Sequence, residues 1–103
     1  MILEIAQIEV KEGLAQEFEA AVKKAEPIFK RAKGCHSVAL ERSIENPQRY
    51  RLLVRWDTVE NHMVDFQKSP DFLEWRKLVG GCFASTPAVE HTTRTLEMKL
   101  SAG

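Results

Sequence analysis

Neither sign of charge dominates this chain. Fifteen Lys and Arg balance fifteen Asp and Glu, and the formal net charge at pH 7 is zero with histidine neutral. Binding a nucleic acid or an anionic membrane takes a surplus of Lys and Arg on one face, so neither is an expected partner. Cysteine is scarce: Cys35 and Cys82 lie far apart, and neither belongs to a CxxC pair. The expectation is two buried free thiols in a cytoplasmic protein, with a disulfide or a reactive thiol as the alternative. Long apolar runs are missing too, and nothing approaches the ~18 residues needed to span a bilayer. The opening Met-Ile-Leu-Glu-Ile has a carboxylate at Glu4 and no basic region ahead of an apolar core, so it does not read as a signal peptide. There is no Ser-His-Asp order, no phosphate-binding glycine loop and no dinucleotide fingerprint. His36, His62 and His91 show no HxH or HxxxH spacing, so no metal site is expected.

What is present is a chain of 103 residues, 44% hydrophobic, which reads as one globular domain over 1–103. Residues 2–10, ILEIAQIEV, form a strand with Ile2, Ala6, Ile8 and Val10 on one face and Leu3 and Ile5 with Gln7 and Glu9 on the other. Residues 14–33 read as a helix whose apolar arc holds Leu14, Phe18, Ala21, Val22, Ala25, Phe29 and Ala32. Pro27 removes a backbone donor and predicts a kink near Glu26; Gly34 is the expected stop. Residues 35–43 and 49–56 alternate as strands of a hairpin around Glu45-Asn46-Pro47, with Tyr50, Leu52, Val54 and Trp56 on one side.

Asp57 and Glu60 have the spacing of a capping box, so a helix is expected from Thr58, with Val59, Met63 and Phe66 on its inner face. Ser69-Pro70 starts another, with Phe72, Trp75, Leu78 and Val79 on its apolar arc, and Gly80-Gly81 ends it. A last strand is expected over 88–98. The order β-α-β-β-α-β predicts an α+β, ferredoxin-like fold: an antiparallel four-stranded sheet with helices on one face. Leu3, Ile5, Ala39 and Leu53 would leave the other face partly apolar. A second copy covering it predicts a homodimer.

Certain stretches resemble a known family. "GC" at 34–35, "YRLLVRWDT" at 50–58, "SPDFLEWRKLVG" at 69–80 and "TPAVEH" at 86–91 are similar to the antibiotic biosynthesis monooxygenase (ABM) domain family. That resemblance spans nearly the whole chain and implies a dimeric α+β barrel. Some members are cofactor-free oxygenases of phenols, quinols or polyketide aromatics; others degrade haem. The haem-degrading branch carries an Asn in the first strand, and a Trp and a haem-ligating His in the second helical region. Gln7, Phe66 and Arg76 stand near those positions here, so haem is discounted.

The resemblance therefore implies a monooxygenase without metal, flavin or other cofactor, acting on a small aromatic, phenolic or quinol-type compound with O2. Such chemistry needs a base to make an electron-rich phenolate or enolate, and histidine is the natural base. His62, at the edge of the inner helix face, is the expected catalytic group; its alternative is a capped, partly exposed side chain. Phe66, Trp75, Arg76 and His91 are the expected substrate-binding residues. His91 is placed at the start of the last strand, on the mixed face with Thr93 and Thr95, where it could equally be a dimer contact. Trp56 and Trp75 also fit a plain core, and Arg76 either lays its stem over apolar surface or anchors an anionic group. Arg49, Arg51 and Arg55 with Glu41 read as cross-strand ion pairs or dimer contacts. Two other classes stay open: a non-catalytic ligand-binding or structural dimer, and an isomerase- or dehalogenase-like reaction on the same fold.

Overall fold

The computed structural model describes residues 1–101. Four strands, β1 (Ile2–Glu9), β2 (Cys35–Arg42), β3 (Arg49–Trp56) and β4 (Ala88–Thr92), form one antiparallel sheet in the order β2-β3-β1-β4. This is the ferredoxin-like α+β arrangement expected from the element order. β1 and β3 lie at the centre, with Ile2 opposite Trp56 and Ile8 opposite Tyr50. Their even-numbered side chains point toward the helices. Ile8, Val10, Tyr50, Val54 and Trp56 are almost wholly buried there, each worth roughly 1.5–3 kcal/mol of burial.

The first helical layer is two helices, not one kinked helix. α1 (Ala15–Lys24) ends at Ala25, and α2 (Glu26–Arg31) begins with Pro27 in its first turn. Proline cannot donate to the carbonyl four residues back, so the helix breaks there and restarts. The restart turns Ile28 and Phe29 inward beside Phe18 and Ala25.

The second layer departs further from its expected form. The chain helix from Val59 widens into a π-helical turn, Asn61–Phe66, with Gln67 N–H donating to the His62 carbonyl. The capping box is shifted by one residue: Thr58 N–H and Oγ1 donate to Asn61 Oδ1, and Asn61 N–H donates to Thr58 Oγ1. Asp57 instead bonds His36, which is exposed beside the β-bulge of β2, at 2.5 Å. The wider turn changes the phase of the helix. Asn61, His62 and Phe66 are buried, while Val59 and Met63, expected on the inner face, are exposed. Gly34 is required by this turn. Its φ is +76°, and a Cβ there would collide with Asn61 Oδ1.

α3 (Pro70–Val79) starts as the sequence predicts, with Ser69 Oγ accepting from Phe72 N–H at 3.3 Å. A short 3-10 turn, Gly80–Cys82, follows it. The last strand stops at Thr92 rather than 98. β4 pairs only with β1, and Thr92 already lies opposite Leu3, near the beginning of β1. Beyond it Leu96, Met98 and Leu100 are exposed. On the sheet's outer face Arg49 pairs with Glu9 at 2.6 Å and Arg51 Nη2 donates to Gln7 Oε1, so Glu41 is not the acidic partner expected.

Candidate active site

β1 buries an acid. Glu4 shares the register of Ile2, Ala6 and Ile8, so it points under the helices and is only 5% exposed. Trp56 Nε1–H donates to its Oε1 at 2.9 Å. His62 Nε2 lies 3.3 Å from the same oxygen. The π-helical turn positions that ring, which stacks on Trp56 with centroids 5.4 Å apart. His62 Nδ1 is 2.8 Å from His91 Nε2, so one ring donates to the other.

Burial sets the charges. Desolvation pushes the Glu4 carboxyl up to about 7, partly offset by the Trp56 N–H. Desolvation, and then the neighbouring His91, push His62 down to about 4. At neutral pH His62 is therefore an uncharged imidazole. Its 3.3 Å approach to Glu4 is a polar contact rather than an ion pair.

The cluster opens onto a cavity of about 360 Å³ between sheet and helices. Glu4, Ala6, Ile8 and Leu52 line its sheet side. Phe29, His62, Phe66, Phe72, Trp75 and Arg76 line its helix side, and Ser85, Thr86 and Pro87 complete the wall. The rings interlock: Phe66 packs on Phe29, Trp56 and Phe72, and Phe29 meets Trp75 edge-on. Arg76, exposed, sits over the Phe72 ring at 5.9 Å. A ring-lined space with a few convergent polar groups suits a flat aromatic ligand. A second hollow, about 430 Å³, lies between α1–α2 and β2, and its Lys23, Glu26, Lys30 and His36 are all exposed. The buried carboxyl and imidazole, Glu4 and His62, belong to the first cavity.

Of the expected site residues, His62, Phe66, Trp75 and Arg76 share this cavity. His91 is corrected in orientation: it lies opposite Glu4 in the β1–β4 register, so it points to the helix side and reaches His62. The expectation places this register on the mixed face, but the pairing with β1 sets it on the helix side, with Val89 opposite Ala6. Gln7 is on the opposite face of the sheet, away from the cavity. Glu4 was missed. Its signal was an acid in register with four apolar residues of one strand face, which calls for a buried polar partner. Among the described residues no group of three or more His, Cys, Asp or Glu is placed to hold a metal ion, and no helix is long and apolar enough to cross a membrane.

The sheet order and the ring-lined cavity between sheet and helices place the chain in the class of small ferredoxin-like α+β domains. The antibiotic biosynthesis monooxygenase family model matches residues 1–78, and the chain belongs to that family. A crystal structure from Bordetella bronchiseptica, named for antibiotic biosynthesis monooxygenase, is 61% identical, covers 92% of this chain and 97% of its own, and superposes with a TM-score of 0.91. The uncharacterized protein YczJ of Bacillus subtilis (strain 168) is 40% identical over 91 residues, 88% of this chain and 96% of its own length. A mutant of SnoaB from Streptomyces nogalater, named as a cofactor-independent oxygenase, matches at TM-score 0.79 and 18% identity over 94% of this chain and 95% of its own, a likeness of fold alone.

Proposed function

We propose that this protein is a cofactor-independent monooxygenase of a small aromatic, phenolic or quinol-type compound, working with O2 as a cytoplasmic homodimer. The carrying observation is the ring-lined cavity with a buried acid and His62 at one wall, and His91 in contact with His62 behind it. An electron-rich phenolate can reduce O2 directly, so the protein has to bind the ring, take a proton and exclude water. Phe66 and Trp75 supply the ring contacts, Arg76 stands near anionic substituents, and His62 with His91 organises the proton-handling end. Membership of a monooxygenase family supports the reaction class. Half-buried Leu3, Ile5 and Leu53 on the outer sheet face, with exposed Leu96, Met98 and Leu100, support the homodimer. Free Cys35 and Cys82 suit a reducing compartment.

The test is a thermal-shift screen against phenols, quinols and hydroxyquinones, followed by O2 uptake with the compounds that bind. Binding to the native state raises Tm with ligand concentration. O2 consumption is expected, falling by about 100-fold in His62→Ala, the scale on which proton transfer suffers when its geometry is lost. Conversion of a bound compound without O2 would replace the oxygenase reading by another reaction. Absence of any shift would remove the aromatic pocket.

A further inference from the structure

We propose that Glu4, rather than His62, is the group that accepts the substrate's hydroxyl proton. This rests on the aromatic-binding reading of the cavity and adds the reacting residue.

His62 is poorly placed to be the acceptor. Its Nδ1 is taken by His91 at 2.8 Å, and its Nε2 faces Glu4 Oε1 at 3.3 Å, so each ring nitrogen is already directed at a protein group. Glu4 differs. Trp56 and His62 both approach Oε1. No bond to Oε2 is found among the described residues, yet no fully buried side-chain oxygen there lacks a partner, so Oε2 keeps some accessible surface, and Glu4 is one of the residues that line the cavity. The carboxylate is thus held at one oxygen and offered at the other.

Every element packed around Glu4 contributes to its behaviour. β3 supplies the Trp56 N–H, the π-helical turn supplies neutral His62, and β4 supplies His91. β2 supplies the Cys35 thiol, pushed up to about 11 by its own burial and then by the charge of Glu4. On the cavity wall, α3 adds the Arg76 guanidinium and α2 brings only Phe29. With no cation bonded to it, the acid titrates near neutrality, at about 7, where a general base is most effective.

The step moves one proton and no electrons. The substrate O–H bond breaks, its hydrogen joins Glu4 Oε2, and the electron pair stays on the substrate oxygen as an aryloxide. O2 is the oxidant of the later step. His62 and His91 are positioning residues: they fix the carboxylate and leave its second oxygen free.

The test uses 3-nitrophenol, whose anion is yellow and whose own ionisation lies above neutrality. Whole protein and Glu4→Gln are each saturated with the probe at pH 7.5, where an acid that titrates at about 7 is mostly ionised, with saturation verified by the rise in Tm. Wild type is expected to show the anion band at a pH where free probe is largely colourless, and Glu4→Gln to bind with the band lost. Glu4→Asp should restore part of it, and serves as the test variant if the Gln protein does not fold. Binding with an undiminished band in Glu4→Gln, and loss of the band in His62→Gln instead, overturns the proposal and leaves the aromatic cavity standing. A probe that raises the Tm of neither protein overturns the cavity reading, and this proposal with it.

Discussion

The two helical layers over this sheet are both broken, and they are broken for different reasons. In the first, Pro27 separates α1 from α2, and the restart adds Ile28 and Phe29 to a core already holding Phe18 and Ala25. In the second, no proline interrupts the chain before Pro70. A π-helical turn brings Asn61 and His62 inward with Phe66, and a cavity lies beneath it. A break imposed by backbone chemistry tightened the packing. A break held by polar side chains left room and placed ionisable groups beside it. Wide turns of this kind lose helical regularity, and they persist where their surroundings hold them. Here the Thr58–Asn61 bonds and the close approach of Gly34 do so.

That contrast is sharpest in a pair of truncations. Phe18 is fully buried against Tyr50 and Phe83, and Phe18→Ala is expected to destabilise by about 3–5 kcal/mol. Phe66 borders existing space, so removing its ring enlarges a cavity rather than opening a new one. About half that loss is expected, together with weaker aromatic binding. Chemical denaturation of both variants reads the difference; equal losses would mean that the second layer is packed as tightly as the first.

The pH response separates the layers next. Glu4 titrates at about 7 in the fold against an ordinary 4.5, so the unfolded chain releases this proton first and stability falls as pH rises through that window. His62 titrates at about 4 against an ordinary 6.5, so its contribution is complete above 6.5 and is lost as pH falls toward 4. At 1.4 kcal/mol per pKa unit each arm is about 3 kcal/mol, of opposite sign, and they nearly cancel. Wild type is expected to be close to flat from these two groups, while Glu4→Gln should gain stability steeply as pH rises from 4 to 6.5. Tm measured across that range decides it. Identical profiles would mean that Glu4 is not held protonated by burial.

The smallest effect is expected where the layers touch at the surface. Arg31 of α2 binds Asp71 of α3 through two bonds, at 2.8 and 3.2 Å. The pair holds the Asp71 carboxyl below, and the Arg31 guanidinium above, their ordinary ranges. Solvent and salt screen so exposed a pair. Arg31→Ala should therefore shift Tm barely, and less still at high salt. A large, salt-resistant loss would show that this contact, rather than the shared sheet, ties the two layers together.

Much of this was legible in the sequence. Alternation in residues 2–10 and 49–56 gave the central strands, because a strand buried on one face must repeat every second residue. Ser69-Pro70 marked the start of α3, and Pro27 marked the break between α1 and α2, because capping and proline geometry are local. The element order gave the ferredoxin-like plan, and the stretches at 50–58 and 69–80 gave the family resemblance. His62, Phe66, Trp75 and Arg76 are legible as candidates from residue type and helical phase. Their common cavity came from the fold.

What only the tertiary structure decided was phase and partnership. The π-helical turn shifts the inner face from Val59 and Met63 to Asn61 and His62. No local periodicity encodes that shift, because it depends on Asn61 closing against Gly34 from a distant loop. β4 stops near the beginning of β1, the strand it pairs with, and that register turns His91 toward the helices. Glu4 is the clearest case. Its position among apolar neighbours is written in the sequence, but its protonation depends on burial beneath a ring and a histidine from the other half of the chain. Periodicity is a property of a segment, whereas desolvation and the direction of a lone pair are properties of the assembled core.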